Sequence, residues 1–285
     1  MEIYHALLFG IVQGLTEFLP VSSSGHLALG QYLFEITEPT LFFDISLHIG
    51  TLLAVVIVFF TTIKSIAIAI FNLFKSLIKL NLQGFKRDLN SSPDIRFALL
   101  IVVASIPTAF IGLALKPYID TFFDSINFVG VMLITTGTFL WFTKDIQKRD
   151  SDASKIANFS YKDALFIGLC QGVAVLPGIS RSGATITAGL FCGIDREQAA
   201  RFSFLLSIPA IVGAELLGLK DILFDSQHSS SLSLNMGTLY GTVVAFVVGY
   251  VALKILLKIV KVGRLHLFAP YCWILGVVSV VVGVL

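Results

Sequence analysis

Apolar residues run almost unbroken through 45–63, 97–115, 125–143, 202–219, 232–253 and 265–285, and Glu215 is the one Asp, Glu, Lys or Arg inside them. Each run has about the length a helix needs to cross a ~30 Å hydrocarbon layer. The pattern predicts six transmembrane helices. Two further apolar stretches, 3–34 and 164–192, are interrupted midway by "LPVSSSGH" and "LPGISRSGA". Neither half of either stretch is long enough to span comfortably. Backbone at membrane depth must bury its polar groups in protein or line a wet cavity. Both stretches therefore read as re-entrant helix hairpins whose breaks lie inside the protein.

The two interrupted stretches also resemble each other. At a constant offset, Ala6, Leu7, Gly10, Gln13, Gly14, Ser22, Ser24 and Gly25 recur as Ala164, Leu165, Gly168, Gln171, Gly172, Ser180, Ser182 and Gly183. This is an internal duplication, with repeat one at about 1–143 and repeat two at about 160–285 of a single membrane domain. Three spanning helices follow each copy, and an odd number makes the second copy enter from the opposite face. The expected fold is all-α and polytopic, with inverted-topology repeats and a binding site near the midplane where they meet.

Composition agrees with the pattern: 56% hydrophobic residues, mean hydropathy +0.89 and 13% charged residues, against roughly 25% charged in a soluble domain. The bilayer is the expected partner, and a net charge of +2 gives no reason to expect nucleic acid. The N-terminal "MEIYHALLFG" lacks a basic n-region and a small-residue cleavage site, so it is not read as a removed signal peptide. Cys170, Cys192 and Cys272 are far apart in apolar segments and read as packing residues. Orientation follows the positive-inside rule. Of 20 Lys and Arg, 17 fall in 64–96, 144–163, 193–201 and 254–264, whereas Lys116 and Lys220 lie on the other side. These segments are expected to face the cytoplasm, with both termini outside.

Arg181 is the remaining cation, and it sits in a break at membrane depth. A helix over 5–19 ended by Pro20 puts Gln13 and Glu17 one turn apart on one face. After the breaks, new short helices are expected to start at about His26 and Ala184. Ser22, Ser23, Ser24 and Gly25, and Ser180, Ser182 and Gly183, are the residue types that helix starts and close anion approach require. Two positive helix ends and a guanidinium converging near the midplane make an anion site, and the Arg fork suits phosphate oxygens. Glu17, His26 and Arg181 at that depth mark function, since ionisable groups there are costly.

Other polar residues carry less. His48 lies on the Asp44 face of the first spanning helix, where packing or hydrogen bonding competes with a role in the site. Glu215, within about a turn of its helix's expected outer end, reads as interfacial. His5, His228 and His266 lie near ends or in loops.

"QGLTEFLPVSSSGH", "FDISLHIGTLLAVVIVFF", "LPGISRSGATITAGL" and "ARFSFLLSIPAIVGAE" together resemble the undecaprenyl pyrophosphate phosphatase family of bacitracin-resistance type, over most of the chain. The resemblance implies hydrolysis of a polyprenyl pyrophosphate lipid to the monophosphate plus phosphate, at the outer face of the cytoplasmic membrane, supplying the carrier for cell-wall glycans. It places the family's E/Q-x-x-x-E motif on Gln13 and Glu17, its serine and histidine on Ser23 and His26, and its arginine on Arg181 within PGxSRSxxT, which includes Ser180, Ser182 and Thr185. It also implies a divalent cation, Mg²⁺ or Ca²⁺. Gln13 stands where some members have a second glutamate, which leaves Glu17, diphosphate oxygens and water as its ligands. A homodimer is left open.

The nucleophile has three candidates: Ser23 activated by Glu17 or His26, then His26 itself, then water. Broken helices in inverted repeats also suit a lipid-phosphate transporter or flippase, the alternative from a different class.

Overall fold

The computed structural model describes residues 3–36, 41–78, 89, 92–146, 159–224 and 236–284. The described residues are helical, with no strand among them. In chain order the α-helices are α1 (Ile3–Phe18), α2 (Ser23–Leu33), α3 (Leu41–Val58), α4 (Phe60–Ile78), α5 (Pro93–Leu115), α6 (Ile119–Asp124), α7 (Ile126–Trp141), α8 (Tyr161–Val173), α9 (Arg181–Phe191), α10 (Arg196–Phe224), α11 (Met236–Lys261) and α12 (Ala269–Val284). Six segments, on α3, α5, α7, α10, α11 and α12, are long and apolar enough to cross a membrane. They correspond one to one with the six runs in the sequence. The protein is a multi-pass membrane protein.

Both interrupted stretches are helix, break, helix. Pro20 disfavours helical backbone at Leu19, and α1 stops at Phe18. The second helices begin at Ser23 and Arg181, three residues earlier than expected. The reason is capping: Ser22 Oγ accepts from the Gly25 amide at 3.2 Å, and Ser180 Oγ accepts from the Gly183 amide at 3.1 Å. Each N-cap thus satisfies one of the orphan donors of its first turn.

The duplicated glycines explain how the halves pack. Gly10 and Gly14 of α1 lie against α11, where an added Cβ would come within 2.6 Å of the Gly241 carbonyl and 2.8 Å of Val248 Cβ. Their counterparts Gly168 and Gly172 of α8 lie in the same way against Ala104 and Ile111 of α5. Small residues one turn apart let membrane helices approach backbone to backbone. The first helix of each repeat therefore packs on a spanning helix of the other. The opposite faces of α1 and α8 expose Leu7, Leu8, Ile11, Leu165, Phe166 and Leu169, a surface suited to lipid.

Two expectations need correction. The first span is Leu41–Val58 rather than 45–63, and residues 60–78, assigned mostly to a basic loop, form α4. Its apolar residues are interleaved with Lys64 and Lys75, which hid an amphipathic helix behind its charge. The other correction is Glu215. Helix α10 continues to Phe224, so this residue is more than two turns from the end and its side chain is 17% exposed. It faces inward and does not snorkel.

The ends of the helices sort as the charge pattern requires. Lys116 pairs with Asp221 at 2.9 Å. Lys261 pairs with Glu197, Arg196 donates to the Ile146 carbonyl and Arg96 donates to the Phe159 carbonyl. Lys79, Lys86, Arg87, Lys148, Arg149, Lys155 and His228, which entered the sequence reading, lie outside the described residues.

Candidate active site

Glu17 closes the last turn of α1 on its buried face, and Gln13 sits one turn before it. Gln13 Nε2 donates to Glu17 Oε2 at 3.1 Å. The chain then turns through Leu19–Ser22, where Ser22 takes φ 70°, a left-handed conformation that costs a non-glycine residue of order 1–3 kcal/mol. That turn presents Ser23 back toward α1, and its Oγ donates to Glu17 Oε2 at 2.6 Å. From the other break, Arg181 opens α9 and its Nη2 donates to Glu17 Oε1 at 2.5 Å. One carboxylate thus joins two segments 164 residues apart in sequence.

The breaks lock onto each other around this pair. Ser182 Oγ lies 3.5 Å from the Leu19 carbonyl. Gly25 faces Gly178 and Gly183 faces Pro20, each at a separation that an added Cβ would make tight. These glycines allow the breaks to meet, and their amides are already committed to the serine caps. Ser22 and Ser24 share a hydrogen bond at 3.2 Å, as do Ser180 and Ser182. Gly178 has φ +97°, and an added Cβ would overlap the Val129 carbonyl of α7. Thr136 of α7 donates to the Gly178 carbonyl and accepts from the Ser180 amide. Thr185 turns its hydroxyl to the Arg181 carbonyl and to Ser203, so it braces α9 on α10 rather than facing Glu17.

His26 stands at the rim. Its Nδ1 lies 2.7 Å from the Ser22 carbonyl, which can only accept, so Nδ1 carries the proton and Nε2 accepts from the Tyr271 hydroxyl at 2.6 Å. The two rings are stacked. Tyr271 and Thr136 were missed in the sequence because a lone aromatic or threonine in an apolar run gives no signal. From the sequence, His48 is left between packing and a role in the site, and Glu215 reads as interfacial. His48 Nε2 is 3.9 Å from Glu17 Oε2, and Nδ1 is 3.4 Å from Glu215 Oε1. The charge of Glu215 inside an apolar run was the clue to its place.

Two polar atoms of the site are buried without a partner among the described residues: Arg181 Nη1 and Gln13 Oε1. A buried donor left unpaired costs ~1–3 kcal/mol, more when charged. The guanidinium has one arm on Glu17 and one arm without an acceptor among the described residues. A divalent cation fits only in part. No cluster of three His, Cys, Asp or Glu suited to a metal occurs among the described residues. Glu17 and Gln13 do offer carboxylate and amide oxygens, the donors that Mg²⁺ and Ca²⁺ prefer, leaving most of the coordination to a ligand and water.

This meeting of the two breaks lies within a family match over residues 6–278, described as bacitracin resistance protein BacA. The chain belongs to that family. Relatives extend end to end. An "Undecaprenyl-diphosphatase" of Desulforapulum autotrophicum is 53% identical over 283 residues, 99% of each chain. One of the same name from Methanosphaera stadtmanae is 43% identical over 286 residues, covering 100% of this chain and 99% of the relative. The BacA-family match thus spans both breaks and every residue of the candidate site.

Proposed function

We propose that this chain hydrolyses undecaprenyl diphosphate, or a polyprenyl diphosphate of that class, to the monophosphate and inorganic phosphate. The observation that carries the reading is the state of Arg181: one arm is paired with Glu17 and Nη1 is buried with no acceptor among the described residues. A diphosphate supplies that acceptor, and the planar fork favours bidentate contact with phosphate oxygens. Ser23 is the first candidate nucleophile, supported by its 2.6 Å hydrogen bond to Glu17. Its Oγ attacks the terminal phosphorus while Glu17 takes the proton, and the bridging oxygen leaves with the lipid monophosphate. His26 comes second, since its Nε2 accepts from Tyr271 and would have to leave that partner to attack. Water is third. A divalent cation carried by the diphosphate, with Glu17 and Gln13 as its protein oxygens, would neutralise charge on the transferred group.

The finer architecture belongs to the same proposal. The reciprocal packing of α1 on α11 and α8 on α5 supports inverted repeats with two re-entrant hairpins, the site lying where they meet. The basic ends face the cytoplasm, both termini face outward, and the site opens to the outer face. The transporter alternative gains no support from the named relatives. Purified protein in detergent tests the function: a hydrolase releases phosphate from the C55 diphosphate without a sealed bilayer. EDTA should suppress that release. No release in detergent would end the hydrolase reading, and undiminished release in EDTA would remove the cation from it.

A further inference from the structure

Two hydrogen bonds hold the second break from behind. Thr136, fully buried on α7, donates its hydroxyl to the Gly178 carbonyl at 2.9 Å and accepts from the Ser180 amide at 3.1 Å. No other hydrogen bond to that carbonyl or that amide occurs among the described residues. Gly178 and Ser180 are themselves buried, so neither group has water as a substitute. Ser180 is the N-cap of α9 and Arg181 is the first residue of that helix. The clamp therefore closes one residue before the backbone that carries the guanidinium. The first break has a weaker counterpart. Pro20 holds the place there that Gly178 holds in the second break, and its carbonyl receives Cys272 Sγ of α12 at 3.7 Å. A thiol is a poor donor beside a hydroxyl. Helix α7 follows the first break and braces the second, whereas α12 follows the second and braces the first. The two helices meet at Gly130 and Gly276, where a Cβ added to either would come within 2.7 Å of the other's carbonyl. Of the two braces, the stronger one lies under Arg181.

We propose that Thr136 is a positioning residue: by fixing the backbone on both sides of Ile179, it holds Arg181 where Nη2 meets Glu17 and Nη1 faces an incoming phosphate oxygen. In assigning Arg181 to the diphosphate, the proposal rests on the hydrolase reading above. Thr136 makes no hydrogen bond to Arg181 or Glu17 among the described residues, so it acts through the turn. The path is short. Ser180 receives the clamp on its amide, its Oγ caps the Gly183 amide and its carbonyl accepts from the Ala184 amide, so a shift of Ser180 carries the first turn of α9 with it. Thr185 ties the next turn to Ser203 of α10, which leaves the start of the helix as the part that can move. A valine at 136 keeps the shape of the side chain and removes donor and acceptor together. The Gly178 carbonyl and the Ser180 amide are then buried without partners, and the break relieves that by shifting. A misplacement of about 1 Å at a group that holds substrate can cost on the order of 100-fold in rate.

The test combines kcat on the C55 diphosphate, per mole of monodisperse protein in detergent, with the rate at which phenylglyoxal modifies Arg181, read by mass spectrometry. Thr136→Val should lose about tenfold or more in kcat, whereas Thr136→Ser, which keeps the hydroxyl, should stay within about twofold of wild type. On an Arg181→Lys background the valine should cost less than about twofold more, because the residue it positions is already gone. Arg181, its side chain 17% exposed and held on Glu17, should be modified about fivefold or more faster in Thr136→Val, with the exposed Arg264 unchanged as the internal control. A Thr136→Val enzyme as fast as wild type overturns the proposal. So does an equal loss in Thr136→Ser, a full further loss on the lysine background, or unchanged modification of Arg181. Where Thr136→Val does not fold, Thr136→Cys replaces it: the weaker thiol should give a smaller loss in kcat and faster modification of Arg181, and wild-type values for both overturn the proposal. Should wild type release no phosphate, the hydrolase reading falls, and the modification rates alone decide whether Thr136 positions Arg181.

Discussion

At the scale of the residue, the site turns on what each arm of Arg181 can do. One arm holds Glu17 and the other is buried without an acceptor among the described residues. A lysine keeps the charge but has no fork, so it cannot hold Glu17 and a phosphate oxygen in one plane. Arg181→Lys should lose turnover by a factor on the order of 100, equivalent to ~2.7 kcal/mol of transition-state stabilisation. Steady-state kinetics on folded protein check this, and near-normal turnover would reduce Arg181 to background charge. Glu17, Ser23 and Arg181 were legible in the sequence because ionisable and hydroxyl groups in a helix break at membrane depth have few structural uses. His48 and Glu215 were visible but could not be joined, since nothing in one dimension shows that α3 and α10 bring them within 3.4 Å. Tyr271 was not legible at all.

At the scale of the element, the glycine pairs of α1 and α8 decide how the breaks are presented. A Cβ at Gly168 would overlap the Ala104 carbonyl, next to the point where Thr108 donates to the Gly168 carbonyl at 2.9 Å. Gly168→Ala should therefore push α8 off α5, costing about 1–3 kcal/mol and lowering the thermal midpoint in detergent. Gly213, with nothing within 4 Å of an added Cβ, is the control, and its alanine variant should melt within a degree or two of wild type. Equal melting of the two variants would show that the close approach is not needed. The six spans and both interrupted helices were readable from apolar length and Pro/Gly/Ser punctuation. Helix α4 was not, because Lys64 and Lys75 looked like a loop when only charge was counted. The starts of α2 and α9 were misplaced by three residues because serine spacing alone does not say which serine is the cap.

At the scale of the whole molecule, the charge sorting divides the helix ends into two sets, and sidedness follows from which set is cytoplasmic. A cysteine replacing Asp120, exposed near Lys116, should react with an impermeant thiol reagent on intact cells. One replacing Lys258, exposed near Lys261, should react only after permeabilisation. The reverse pattern would turn the protein over and move access to the site to the cytoplasm. The repeated motif was legible in the sequence, but the meeting of the two breaks on a single carboxylate is a fact of three dimensions. That meeting is the centre of the account, and it is tested most directly by phosphate release from the C55 diphosphate by purified Glu17→Gln. The amide keeps the size of the side chain but loses the anion that pairs with Arg181 and, in the proposed reaction, takes the Ser23 proton. The variant should elute as folded protein and retain less than about a hundredth of wild-type turnover; retention of more than about a third would contradict the assignment of Glu17 as the base.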